Sequence, residues 1–380
     1  MGPHERIGGN TVKVVRYIEE INGIRAVACL SVLAVHVSAG VYHQQGGWDG
    51  FTTLINQLAR FGTPVFAVIS GFLLFHQVQV KGFRLWGFIR SRTHKIVIPY
   101  LLWSMVYLTI LKVGYRVDHF ISWKHWLMTM ASGRAFYHLY FVVAVIQFYL
   151  LFPLLQRMLR STFSWWAGVT VALALNLAFL TVDPSVWAGE WGKILLPVRK
   201  ALLPAWIFCF LLGGLLSHHW DRLREWLCVK GSWFSALAIP VLIGGVVEYQ
   251  MMGLYGPARP MNLLNTPILV LAGLVGFLQW RNRWPGVKRG LMALGNLSFG
   301  IYLVHPVIIM LMMETIPPRV WSPTLLPLLY GVALVLTVGL IQWIRCLPFH
   351  HYLLTVPRRN TPTGTAPESG RAFEEDSASA

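Results

Sequence analysis

The sequence predicts an all-α, polytopic integral membrane protein with about ten transmembrane helices and both termini on the cytoplasmic side. Three observations predict it. Of 380 residues, 55% are hydrophobic and only 12% charged, about half the charged share of a soluble domain, and the mean hydropathy is +0.55. Apolar stretches near the roughly 20 residues that cross about 30 Å of hydrocarbon recur along the chain. Lys and Arg fall mainly in alternate intervals between those stretches, as membrane topology requires.

Ten stretches fit: 21–40, 58–79, 96–114, 137–157, 164–182, 201–217, 232–250, 263–280, 292–313 and 323–343. The sixth is short, and the break from Pro197 to Pro204 is placed to extend or tilt it. With the N-terminus inside, 21 of the 32 Lys and Arg lie in inner segments, nine lie in outer loops, and Arg25 and Arg60 lie within spans. That bias predicts an even number of spans with N-in and C-in ends. The formal net charge of +17 invites a nucleic-acid reading, and the alternation of the charges argues against it. The 17 Trp and 13 Tyr suit the aromatic belts at headgroup level.

The chain therefore divides into a cytoplasmic N-terminal segment (1–20), a ten-helix membrane unit (21–345) and a cytoplasmic tail (346–380). The first twenty residues are polar and basic, without the apolar core and cleavage site of a signal peptide. The tail ends "PRRNTPTGTAPESGRAFEEDSASA", which cannot bury a core and is expected to be largely disordered. Chemistry is thus left to the membrane unit or a partner. Cys29, Cys209, Cys228 and Cys346 fall in spans or inner loops, so no disulfide is expected.

The first span, "NGIRAVACLSVLAVH", carries an arginine near one end and a histidine near the other. Arg25 and His36 are 11 residues apart, which returns to within about 20° of one face and about 16 Å along the axis. Asn22, Arg25, Cys29, Val32 and His36 form a semi-polar stripe. Ala26, Leu30, Leu33 and Val37 form the opposite side, expected to show apolar surface elsewhere. An ionisable residue inside a span is costly and points to function. Plainer accounts exist: Arg25 as a topology anchor that snorkels to the interface, His36 as a structural partner of a neighbouring helix. Both must hold at once for the shared face to be coincidence.

Other polar positions fall in three spans. "FIRSRTHKIVIPY" places Arg90, Arg92, His94 and Lys95 at the inner mouth of span three. It reads either as positive-inside anchoring or as a phosphate clamp, with Arg92 and Lys95 joining Arg25 at the same face. In span four, "FYHLYFVVAVIQFYLLFPLL", His138 enters from the outer end, within reach of the depth of His36, and Gln147 lies deeper. A histidine among interfacial aromatics is more often a belt residue than a catalyst. "GNLSFGIYLVHP" sets Ser298, Tyr302 and His305 on one face of span nine, explained as well by a proline-kinked helix as by function. The small residues of "GTPVFAVISGFLLFH" in span two read best as close helix packing. No metal-ligand spacing, phosphate loop or serine elbow occurs.

Taken in order, these motifs resemble the acyltransferase family 3 membrane proteins, bacterial O-acyltransferases of surface polysaccharides. The resemblance covers about residues 20–345. It implies a ten-helix unit in the bacterial cytoplasmic membrane using cytosolic acetyl-CoA, with the paired Arg25 and His36 at its centre and His36 catalytic. The family's Arg-x-x-Arg pattern maps to Arg92 and Lys95, a departure that weakens fork geometry. Many members read "SVEEQFY" where this chain reads "AVIQFY". Val145 and Ile146 replace the acidic pair, so a mechanism through that glutamate does not carry over. "HLYF" is similar to the branch that includes proteins of poly-N-acetylglucosamine biofilm operons.

The residues and the resemblance together predict a donor held by Arg25, Arg92 and Lys95. His36 would act as general base and His138 would position a glycan acceptor, with the bilayer and polysaccharide synthesis or export proteins as partners. The rival is an exporter or flippase whose polar stripe lines a path. A scaffold without activity is the third reading, since the span-four glutamate is missing.

Overall fold

A computed structural model describes residues 18–183, 186, 189–254 and 256–355. The N-terminal segment before residue 18 and the tail beyond residue 355 lie outside the described residues. Every regular element among them is helical. The helices that correspond to the ten predicted spans are α1 (Glu19–Gln45), α2 (Gly62–Lys81), α3 (Ile98–Tyr115), α4 (Tyr140–Met158), α5 (Thr162–Thr181), α6 (Ile207–His218), α7 (Ser232–Met252), α8 (Asn262–Trp280), α9 (Pro285–Thr315) and α10 (Leu326–Ile344).

Among the described residues nine helices are long and apolar enough to cross a membrane, and α6 is the exception. Its 12 residues rise only about 18 Å. The Pro197–Pro204 break is folded into short 3-10 turns at Leu196–Ala201 and Leu203–Ala205, which bring the chain down to the start of α6. Gln147 of α4 holds this descent: its amide donates to the Ala201 carbonyl at 2.8 Å and accepts from the Leu203 N–H at 2.9 Å. A short helix is tolerable here because α6 is buried in protein, from Ile207 through Leu215. Backbone at membrane depth needs only that its polar groups be satisfied away from lipid.

The second predicted span is also corrected. Predicted over 58–79, it begins four residues later, at the start of α2, and a break at Arg60–Phe61 sets off a short helix before it, Gly50–Ala59. Asp49 caps the short helix by accepting from the Phe51 and Thr52 N–H groups, satisfying donors that a helix start leaves open. The prediction for α1 needs a larger correction. Most of its apolar side does not face lipid: Ala26, Leu33 and Val37 are fully buried and Leu30 is half-buried, while Asn22, Cys29 and Val32 of the polar stripe are buried too, and between residues 19 and 41 only Val27 is exposed. α1 is a central helix wrapped by α2, α8, α9 and α10.

The small residues of α2 do pack helix on helix. A Cβ on Gly71 would fall 1.9 Å from the Phe210 carbonyl oxygen of α6, and one on Gly213 the same 1.9 Å from that of Val68. The two backbones touch, as small residues permit.

One face of the bundle is tied by ions. Glu20, buried, accepts from Arg224 at 2.9 Å and Arg281 at 3.0 Å, and Glu19 pairs with Lys288 at 2.8 Å. On that face Asn22 donates to the Met292 carbonyl at 3.0 Å and Ser217 to Gln79 at 3.2 Å. Arg92 bonds Gln77, and Thr355 donates its hydroxyl to the Lys95 carbonyl. Both ends of the described chain therefore reach the same face of the bundle, and an even number of crossings is expected.

Two outcomes follow. Gly71→Val forces backbone apart at a cost of at least about 3 kcal/mol, so it should lose its monodisperse peak in detergent size-exclusion chromatography. Gly244→Val, where a Cβ meets nothing within 4 Å, should keep it. Cys228 and Cys346 are exposed on the ion-tied face, so a membrane-impermeant maleimide should label both or neither in intact spheroplasts and both after permeabilisation. Labelling of one alone would contradict the even crossing number.

Candidate active site

Two cavities lie end to end inside the bundle. The first, about 230 Å³, opens at the ion-tied face and is lined by Arg25, Arg92 and Lys95 together with Ser70, Val145, Tyr149, Ser298 and Thr355. The second, about 200 Å³, holds His36, His138, Arg60 and Lys200 with Thr63, Tyr137 and Tyr140. Phe141 and Tyr302 line both cavities and stand as the partition between them.

The cation cavity is assembled from three elements. α1 supplies Arg25 and the helix Leu85–Arg92 supplies Arg92. A π-helical turn, Thr93–Val97, then carries Lys95 into α3. Such a turn widens the helix by one residue and is frequent at functional sites. Pro99, just beyond, has no N–H to offer the carbonyls one turn back, and Thr355 serves the Lys95 carbonyl instead. The Arg92 guanidinium is held against the rings of Phe88 and Tyr149, 5.6 and 5.5 Å from their centres. Its Nε is buried with no hydrogen-bonding partner among the described residues. None of the described lining residues is an Asp or Glu. Three cations around an apolar-walled cleft suit a polyanion, and Arg and Lys are the usual phosphate partners. Val145, at the position of the family's acid, faces this cavity.

The second cavity brings together His36 of α1 and His138 from the turns before α4, with His305 of α9 packed behind them. His36 stacks on His305 with ring centres 5.1 Å apart and lies 4.6 Å from the Tyr137 ring. His138 stands 5.5 Å from His305, 5.2 Å from Tyr107 and 5.1 Å from Tyr302. The turns before α4 place His138 there. Gly133 has φ +68°, and a Cβ would meet the Tyr140 backbone at 2.6 Å, so only glycine lets the chain double back. Tyr302 then donates to the His138 carbonyl, and Tyr107 donates to the Leu303 carbonyl at 2.6 Å.

His305 Nδ1 lies 2.8 Å from the Ile301 carbonyl. A carbonyl only accepts, so Nδ1 carries the proton and Nε2 keeps its lone pair. That Nε2 and both ring nitrogens of His138 are buried without partners among the described residues. Unpaired polar atoms at a buried site are costly and mark where a polar ligand fits.

All five residues singled out in the sequence therefore line the paired cavities, His36 and His138 in one and Arg25, Arg92 and Lys95 in the other. Sequence reasoning missed Arg60 and Lys200, and left Tyr302 and His305 undecided. Gln147 belongs to the α6 brace instead.

A helical bundle with helices long and apolar enough to cross a membrane, in which a cationic cleft leads to a histidine cluster, suits membrane-embedded group transfer. The family model described as an acyltransferase domain matches residues 18–346, and the chain belongs to this acyltransferase family, type 3. A Bacillus subtilis protein provisionally named as the membrane-bound acyltransferase YfiQ is 25% identical, over 76% of this chain and 80% of its own. A Staphylococcus aureus protein provisionally named for export of poly-beta-1,6-N-acetyl-D-glucosamine is 20% identical, over 76% and 82%. The succinoglycan biosynthesis protein ExoH of Rhizobium meliloti is 24% identical, over 84% and 86%. No solved structure matches the chain significantly.

His305 packs on His36 and fixes its ring. Misplacing a catalytic group by an ångström costs about a hundredfold. If His36 carries the transfer, His305→Ala should lower kcat for acyl transfer by about that factor and leave the KM for the acyl donor unchanged; a change in KM alone would contradict this positioning role.

Proposed function

We propose that the protein is an O-acyltransferase of the bacterial cytoplasmic membrane that moves an acetyl or related acyl group from cytosolic acetyl-CoA to a sugar hydroxyl of a surface polysaccharide. The single observation that carries the reading is the pair of cavities meeting at Phe141 and Tyr302. One is cationic and the other rich in histidine, and α1 contributes a residue to each. The ion-tied face, with most of the positive charge, is the cytoplasmic one. There Arg25, Arg92 and Lys95 hold the phosphates of the donor, and its long thiol-bearing arm runs along α1 towards His36, about 16 Å away.

The glycan enters the histidine cavity from the outer side. His36 takes the proton of the acceptor hydroxyl, whose oxygen attacks the thioester carbonyl carbon. The tetrahedral intermediate collapses with cleavage of the C–S bond, and the imidazolium returns its proton to the leaving thiolate. The products are the ester and free CoA. His138, edge-on to His305 at 5.5 Å, positions the acceptor. With Val145 and Ile146 where other members carry acids, the histidine cluster provides the proton transfers without a span-four carboxylate.

A second reading is export of the glycan itself, favoured by the names of the Staphylococcus relatives and by cavities reaching towards both faces. Surface polysaccharide separates the two. In a deletion strain, normal export with lost esters, restored by the wild type and not by His36→Ala at matched protein level, supports acylation. Glycan retained inside the deletion strain supports export and overturns the enzyme reading.

In vitro, His36→Ala should cut kcat by about 10² to 10⁴, the range of general-base contributions. Arg25→Leu and Arg92→Gln should each raise the KM for acetyl-CoA about tenfold, the effect of one charge-assisted hydrogen bond. An unchanged KM in inserted Arg25→Leu protein would return Arg25 to a topology anchor.

A further inference from the structure

The wall of the bundle opens beside its central helix. Between α1, α7, α8 and the start of α9 lies a groove of about 420 Å³, apart from the two cavities of the candidate site. Its floor is apolar and made of small side chains: Val27 of α1, Ala238 of α7, and Gly273 and Gly276 of α8 line it. A Cβ on Gly276 would meet nothing within 4 Å, so there is room at that level for another molecule. Val27 is exposed there. It lies two residues from Arg25, about 200° around the helix, so the groove backs α1 on the side away from the cation cavity.

The groove begins at the ion-tied face and runs into the apolar slab. Its lining on α8 extends from Trp280 to Leu269, a rise of about 16 Å. That is about half of a hydrocarbon core of roughly 30 Å, the depth of one leaflet. The mouth differs from the floor. Trp280 and Trp284 stand at it, both exposed, as aromatic residues do at headgroup level. Arg281 and Lys288 line it beside them, and none of the described lining residues is an Asp or Glu. The ion pairs behind the mouth leave a positive balance: Arg224, Arg281 and Lys288 share the two carboxylates of Glu19 and Glu20. Arg281 reaches Glu20 through Nη1, and a guanidinium has five N–H donors in all.

We propose that this groove binds one anionic glycerophospholipid from the leaflet on the ion-tied face. An acyl chain lies against Val27 and the α8 glycines, and the phosphodiester sits at Arg281 and Lys288. An apolar channel one leaflet deep under a cationic, aromatic mouth complements a chain with a negative head. A zwitterionic lipid brings a cation of its own to a mouth already positive. Basic pockets between membrane helices recognise anionic headgroups in this way. The bound chain supports α1 from behind, and the site is independent of the acyl-transfer reading.

The test uses the full chain in detergent and native mass spectrometry, with phosphatidylglycerol and phosphatidylcholine of identical acyl chains as probes. The first phosphatidylglycerol should bind the wild type at least about fivefold more tightly than phosphatidylcholine, the worth of about one cation at a lipid surface. Arg281→Gln removes one of the two cations on Glu20 and leaves Arg224 there, so no buried carboxylate is stranded. The preference should then fall to within about twofold, and Arg281→Lys should restore it. Gly276→Leu fills the groove from a position with room for a side chain and replaces glycine by a better helix former. It should weaken phosphatidylglycerol binding at least about fivefold and keep the wild-type thermal midpoint without added lipid. If Arg281→Gln does not fold, Gly276→Leu carries the test alone. Equal binding of the two lipids by the wild type, a preference that survives Arg281→Gln, or wild-type affinity in Gly276→Leu overturns the site. A dimer whose interface covers the groove and excludes the lipid overturns it as well.

Discussion

A helix that carries an arginine and a histidine through hydrocarbon cannot stand at the rim of a bundle, and the arrangement of the other nine follows from burying it. α1 is enclosed by α2, α8, α9 and α10, and its neighbours meet it through small residues. A Cβ on Gly62 would lie 2.7 Å from the Ala28 carbonyl, and one on Gly295 2.4 Å from that of Asn22. Close approach of this kind replaces the hydrophobic drive that lipid does not supply. At its N-terminal end, Glu20 binds two arginines from different segments. Removing that carboxylate would strand both cations, which is where the large cost of breaking a buried pair arises.

The same enclosure sorts the chemistry by depth. Residues 11 apart on one helix, Arg25 and His36, fix the spacing between the cationic cavity and the histidine cavity, independent of any loop. The elements around α1 then need only supply complementary groups at two levels: the π turn and α9 at one, and the turns before α4, the α2 break and α9 again at the other. α9 serves both because Ser298, Tyr302 and His305 lie on one face. Rigid helices hold such constellations better than loops do.

Legibility in the sequence tracked this division. Arg25 and His36 were visible because period and spacing within one helix are written in the chain. His138 could be suspected only from its depth. That it shares a cavity with His36 through His305 depends on which helices pack together, which no local pattern encodes. Arg60 looked like a stray charge in a long span, because the break that frees it lies in an apolar run where only a capping Asp49 upstream hints at a new helix. Lys200 counted merely as an outer-loop cation. The burial of Leu33 and Val37 was misread for a related reason: lipid-facing and core-facing apolar side chains are chemically alike in a membrane protein, so the moment of a central helix says little. Span six was short in the sequence, and the structure adds why that is tolerated: Gly71 and Gly213 lock it to α2.

The aromatic partition has a bearing on the energetics of the cell as well as on the chemistry. A bilayer that stores a proton gradient tolerates no continuous wet channel, and two polar cavities back to back would be one if Phe141 and Tyr302 parted freely. Any displacement that lets an acyl chain reach His36 must therefore be filled by the chain that causes it. On the proposed reading, the slender arm of the thioester serves as its own stopper, and a carbon fragment is handed across the membrane without discharging the potential that sustains the cell.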